Sequence, residues 1–68
     1  MMKIVLNNRE EVFEADQMTI TGLLAAKNFT FKMLVVKVNG VLVRRHEYDL
    51  KTICDGDDVM VLHLITGG

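Results

Sequence analysis

The residues with the clearest chemical potential close the sequence: Leu64-Ile65-Thr66-Gly67-Gly68. A C-terminal carboxylate has a reference pKa of about 3.5, so at neutral pH it is an ionised nucleophile suited to attack on the α-phosphate of ATP. An enzyme that catalyses such an adenylation must pass the chain end through a narrow channel. Two glycines suit that passage, because without a Cβ they adopt extended or positive-φ geometry freely. Termini are often frayed and rich in small residues, but fraying does not explain two closing glycines that follow a core strand. The expected working positions are therefore Gly68 and Gly67, in a flexible tail. Thr66, Ile65, Leu64, Leu62 and Met60 lead up to it as the expected partner-docking stretch.

The other reactive side chains assemble nothing comparable. Cys54 is the single cysteine, set between Ile53 and Asp55 with no second thiol or adjacent base. It is read as a small structural hydrophobe. His46, His63 and Cys54 fit no zinc spacing, so no metal is expected. His63 interrupts an apolar run and reads as a partly exposed surface histidine, with a place on the docking face as the alternative. Arg44, Arg45 and Lys37 are solvated charge or contacts to an acidic partner rim. Asp57 and Asp58 belong to turn chemistry. No Ser-His-Asp set, phosphate-binding loop or dinucleotide fingerprint occurs, and neither an enzyme nor a resident cofactor is expected.

Composition narrows the class further. The 68 residues suffice for one domain, spanning 1–68. A chain of this size buries only about 60% of its unfolded surface, so the core must be efficient. Half the residues are apolar, which supplies it. With one cysteine no internal disulfide can form, which fits a reducing cytoplasm. The net charge is −1 with both signs dispersed, and no basic block points to nucleic acid or an anionic membrane. No apolar run approaches the roughly 20 residues needed to span a bilayer, and the N-terminus turns polar too early for a signal peptide.

The elements that must position the tail are legible from pattern. Residues 4–6 and 11–15 read as strands separated by Asn7-Asn8-Arg9, an opening hairpin. Residues 20–28 read as a helix with Thr19 as N-cap and an apolar stripe through Ile20, Leu23 and Leu24. Gly22 within it costs about 1 kcal/mol relative to alanine. Residues 33–38 and 41–43 flank Asn39-Gly40, a strong type I′ hairpin signal. Residues 44–54 look polar and irregular, with a helical turn near Tyr48. Asp55-Gly56-Asp57 turns the chain into a last strand at 59–65. The order β-β-α-β-β-β predicts an α+β, single-domain β-grasp: a mixed sheet of four to five strands over one helix.

That last strand is apolar at both parities, and residues 33–38 nearly so, as expected for strands covered on both sides. One short helix covers only one sheet face. An apolar face is therefore expected to stay exposed beside the C-terminus as a docking surface. The competing arrangement, a lid formed by residues 44–54, is disfavoured by the polarity of that segment.

Several of these segments together resemble the ThiS family. Val38-Asn39-Gly40-Val41-Leu42-Val43-Arg44-Arg45 is similar to its Val-Asn-x-x-x-Val-Pro-Arg segment, Asp55-Gly56-Asp57 to its Asp-Gly-Asp turn, and Ile65-Thr66-Gly67-Gly68 to its small-Gly-Gly ending. Arg44 departs from the pattern, standing where the family usually has proline. The resemblance implies a sulfur carrier of thiamine biosynthesis. An E1-like adenylyltransferase (ThiF-like) would adenylate Gly68, with ATP and Mg²⁺ bound in that partner. Sulfur from a cysteine desulfurase or another donor would convert the end to a thiocarboxylate, and a thiazole synthase (ThiG-like) would accept it. Related alternatives are a MoaD-like carrier for molybdopterin synthesis, a ubiquitin-like modifier, and a plain β-grasp binding module.

Overall fold

The computed structural model describes residues 1–30 and 32–64; the expectations placed on Ile65, Thr66, Gly67 and Gly68 lie outside the described residues. β1 (Met2–Leu6) and β2 (Arg9–Phe13) form the opening hairpin. Asn7 and Asn8 both take positive φ, 52° and 68°, a region that short polar side chains tolerate. Their two-residue turn pairs Leu6 directly with Arg9. β2 therefore starts two residues before the expected Glu11, because Arg9 belongs to the strand and not to the turn.

After β3 (Gln17–Thr19) comes helix α1 (Ile20–Ala26). The Thr19 hydroxyl oxygen accepts from the Gly22 N–H at 3.0 Å, as expected of an N-cap. The helix stops short of residue 28. Asn28 adopts φ 57°, its N–H donates to the Ala25 carbonyl, and the Phe29 N–H donates to that of Leu24, the paired bonds of a Schellman ending. The Lys27 ammonium then reaches Glu11 Oε1 on β2 at 2.8 Å and ties the helix end to the sheet.

β4 (Leu34–Val38) and β5 (Val41–Val43) are joined by Asn39-Gly40, with φ 52° and 81°, both positive as a type I′ turn requires. A 3₁₀ turn (Arg45–Glu47), β6 (Thr52–Cys54) and β7 (Asp58–His63) complete the order. The main sheet runs β2-β1-β7-β4-β5. β1 lies parallel to β7, and the remaining neighbours are antiparallel. This is the expected mixed five-stranded sheet with one helix.

The β3–β6 ribbon was not expected. Each of its strands has three residues, too few for a period to show, and β6 falls inside the stretch read as irregular. Ile53 nevertheless supplies a fully buried core side chain, beside Ile20 and Leu23 of the helix and Ile4, Val36 and Val59 of the sheet. The segment leading to β6 is also anchored on the helix side: the Ile20 N–H donates to the Lys51 carbonyl and the Thr21 N–H to that of Tyr48. Residues 44–54 thus help cover the inner face and leave the outer face open.

Cys54 corrects an expectation. Alternation along β6 turns Ile53 inward and Cys54 outward, so the cysteine is exposed and not a packed hydrophobe. Its thiol donates to a carboxylate, Asp57 Oδ2, at 3.8 Å. Among the described residues no helix is long and apolar enough to cross a membrane.

Candidate functional site

β7 is the last strand before Gly67 and Gly68 in the sequence, and it sits at the centre of the sheet between β1 and β4. Its start is clipped from three directions. Asn39 Oδ1 accepts from the Asp58 N–H at 2.9 Å, while the Asn39 N–H donates to the Asp58 carbonyl at 2.7 Å. Asn39 Nδ2 donates to Asp57 Oδ1 at 3.1 Å. Asp57 Oδ2 accepts from the Cys54 N–H at 2.9 Å, and Asp55 Oδ1 from the Lys3 N–H at 2.7 Å. Asp55-Gly56-Asp57 is turn chemistry, as its sequence suggests, with Gly56 at φ 90°.

Further along, Asn7 replaces strand with side chain. β1 turns away after Leu6, and Asn7 Oδ1 accepts from the Val61 N–H at 2.8 Å, extending the parallel ladder by one bond. The pairing with β4 continues past the strand's end, where the Leu64 N–H donates to the Met33 carbonyl at 3.0 Å. Leu64 is the last described residue and is still tied to the sheet.

Partial burial pushes the Asp57 carboxyl up. The hydrogen bonds from the Cys54 N–H, the Asn39 amide and the Cys54 thiol, with the charge of Lys51, outweigh it and hold the group below the ordinary carboxylate value.

Strand alternation sorts the candidate docking residues. Val59 and Val61 point into the core; Met60 is half-buried, and Leu62 and Leu64 are 47% and 45% exposed on the opposite face. Val35 lies opposite Leu62 and Lys37 opposite Met60. Leu42 lies opposite Lys37 and is 50% exposed. Val5 and Val12 bring the same face across β1 and β2. The outer face therefore draws apolar side chains from all five strands. The both-parity signal read at the last strand and at residues 33–38 is carried by Ile4-Val5-Leu6 too. His63 shares the parity of Val61 and is exposed at the end of the inner face, away from the docking side.

At the corner after β5, Arg44 holds φ −84° and ψ 156°, extended geometry close to what proline imposes. Its N–H donates to Glu47 Oε1 at 2.9 Å while the Glu47 N–H returns to the Arg44 carbonyl. A proline would lack the first of these bonds. Among the described residues no group of three or more His, Cys, Asp or Glu could hold a metal ion.

Residues 2–68 match the model of the ThiS family. The sulfur carrier protein ThiS of Bacillus subtilis (strain 168) is 29% identical over 63 residues, covering 93% of this chain and 96% of the relative. The crystal structure of a thiamine biosynthesis protein (ThiS) from Geobacter metallireducens superposes with a TM-score of 0.88 at 29% identity, covering 98% of this chain and all of that one. A solution structure of a thiamine biosynthesis protein from the same organism gives a TM-score of 0.80 at 30% identity, over 98% and 88% of the two chains. With β-grasp architecture, the Asp-Gly-Asp clip and a match running from β1 to the final glycine, the chain belongs to the ThiS family.

Proposed function

We propose that this chain carries sulfur for thiamine biosynthesis on the carboxylate of Gly68. The observation that supports this most is the family match, which extends through Gly67 and Gly68. In the proposed cycle, an activating partner of the E1-like, ThiF-like class holds ATP and Mg²⁺. A carboxylate oxygen of Gly68 attacks the α-phosphorus, pyrophosphate leaves, and an acyl-adenylate forms. A persulfide sulfur supplied through a cysteine desulfurase attacks the acyl carbon and expels AMP. Reductive cleavage of the remaining sulfur–sulfur bond by a thiol leaves the thiocarboxylate. A thiazole synthase of the ThiG-like class takes up that sulfur.

In this cycle the chain is a protein-sized substrate and not a catalyst. The outer face with Met60, Leu62 and Leu64 is the proposed docking surface, and Ile65 and Thr66 follow it in sequence ahead of the glycines. The apolar exposure of Leu62 and Leu64 supports that role, since half of each side chain is still available for burial.

Intact-mass spectrometry of the protein from its native host tests the proposal. A mass gain equal to one oxygen exchanged for sulfur is the expected result. Conjugates to lysines of other proteins would point to a modifier instead. Sulfur transfer to a pterin acceptor, but not to thiazole synthase, would point to molybdopterin synthesis. Unmodified protein that no activating enzyme adenylates would overturn the carrier reading.

A further inference from the structure

β4 is an inner strand for only part of its length. Pairing with β5 joins Val36 to Val43 and Val38 to Val41. Two residues further that register would place Arg45 opposite Leu34, but at Arg45 the chain turns into the 3₁₀ helix. Arg45 reaches back only through its guanidinium, which donates to the Lys32 carbonyl at 2.8 Å. The backbone bonds from Leu64 to Met33 and from Asn39 to Asp58 show that odd residues of β4 face β7. Leu34 therefore turns its N–H and C=O toward the side that β5 has vacated.

A groove of about 420 Å³ opens at this place, lined by Leu34, Leu42 and Leu64 with Lys32, Arg44 and Arg45 among its other walls. Its charge is one-sided. The described ion pairs join Met1 to Asp16, Lys3 to Glu10 and Lys27 to Glu11, and none of them involves Lys32, Arg44 or Arg45. Glu47, the nearest acid in sequence, is engaged by the Arg44 N–H.

We propose that this groove receives a short, extended, acidic segment of the activating partner. The segment adds backbone hydrogen bonds at Leu34 and places carboxylates against Lys32 and Arg44. An open strand edge supplies main-chain recognition, and the flanking pockets select side chains. Cations outside the described ion pairs set the sign of the partner's charge. The groove is continuous with the outer face through Leu42 and Leu64, so one partner covers both. This inference rests on the carrier reading for the identity of the partner but not for the binding chemistry.

The test titrates a short synthetic peptide of alternating valine and glutamate, blocked at both ends, into the isotope-labelled full chain while amide shifts are followed. Saturable shifts centred on Leu34 and Arg44 are expected. Binding should weaken steeply as the Debye length falls from about 30 Å to about 3 Å between 0.01 M and 1 M salt. The double variant Lys32→Glu/Arg44→Glu should bind at least about tenfold more weakly, a loss of about 1.4 kcal/mol, with its unfolding midpoint unchanged. Shifts centred on β2 or α1, equal affinity for the lysine counterpart of the peptide, or no saturable shift would each overturn the proposal. So would the same amides moving when Gly67 and Gly68 are removed, which would make the chain's own tail the occupant, or on raising protein concentration alone, which would make it a second copy. The sulfur mass gain is read separately, so a chain that charges with sulfur but ignores the peptide loses only the groove.

Discussion

Leu62→Asp separates docking from folding, because Leu62 and its neighbour Val61 face opposite ways. Burying a leucine side chain fully is worth about 1.5–3 kcal/mol, and Leu62 is 47% exposed. About 1 kcal/mol has thus been gained against Val35 on folding, and about 1 kcal/mol remains for a partner to gain. The aspartate forfeits both shares. In a closed interface it also leaves an unpaired charge, at a cost of about 3 kcal/mol or more. Docking should weaken by about 4 kcal/mol, roughly a thousandfold, while stability falls by only about 1 kcal/mol. Val61→Asp is the contrast: that position is 7% exposed, and a buried carboxylate there should cost more than about 4 kcal/mol and unfold a domain of this size. Urea unfolding reads the loss of stability, and the rate of sulfur loading by the host's activating enzyme at sub-saturating carrier reads the loss of docking. A folded Leu62→Asp protein loaded at the wild-type rate would refute the docking role of this face, and equal destabilisation by the two variants would refute the assignment of their sides.

Asn39→Gly removes the side-chain bonds to Asp57 and Asp58 at a cost of about 1 kcal/mol. Asn39→Ala loses the same bonds and costs about 1 kcal/mol more, because alanine lacks the tolerance of positive φ that asparagine has and glycine exceeds, so urea midpoints should fall in the order wild type, glycine, alanine. Because the Asp57 carboxyl sits below its ordinary value, its stabilising contribution is complete above the unfolded pKa of about 3.9 and is lost as pH falls through the folded value. Asp57→Asn should therefore destabilise at neutral pH by about 1 kcal/mol and lose that difference in strong acid; an equal deficit at both pH values would remove the carboxylate from the account. Deleting Gly68 should abolish the sulfur mass gain and leave the melting temperature unchanged, and a loss comparable to that of a core variant would count against a purely chemical role for that residue.

Elements governed by local chemistry were legible in the residues alone. Thr19 caps its helix because a hydroxyl can meet a free N–H three residues on, and Asn39-Gly40 turns because both residues tolerate positive φ. The repeated apolar positions of β4 and β7 announced an inner and an outer face from spacing and side-chain type. What the tertiary structure decided depends on residues far apart in the chain. Whether Asn7-Asn8-Arg9 spends two or three residues on its turn is set by the register of Leu6 against Arg9. β3 and β6 exist as strands because they find each other across more than thirty residues and cover Ile53 against the helix. The exposure of Cys54, the inner-side position of His63 and the open edge at Leu34 follow from the same cause: a side chain's surroundings are fixed by which strands become neighbours, and pairing energy between distant segments leaves no trace in the local pattern of either one.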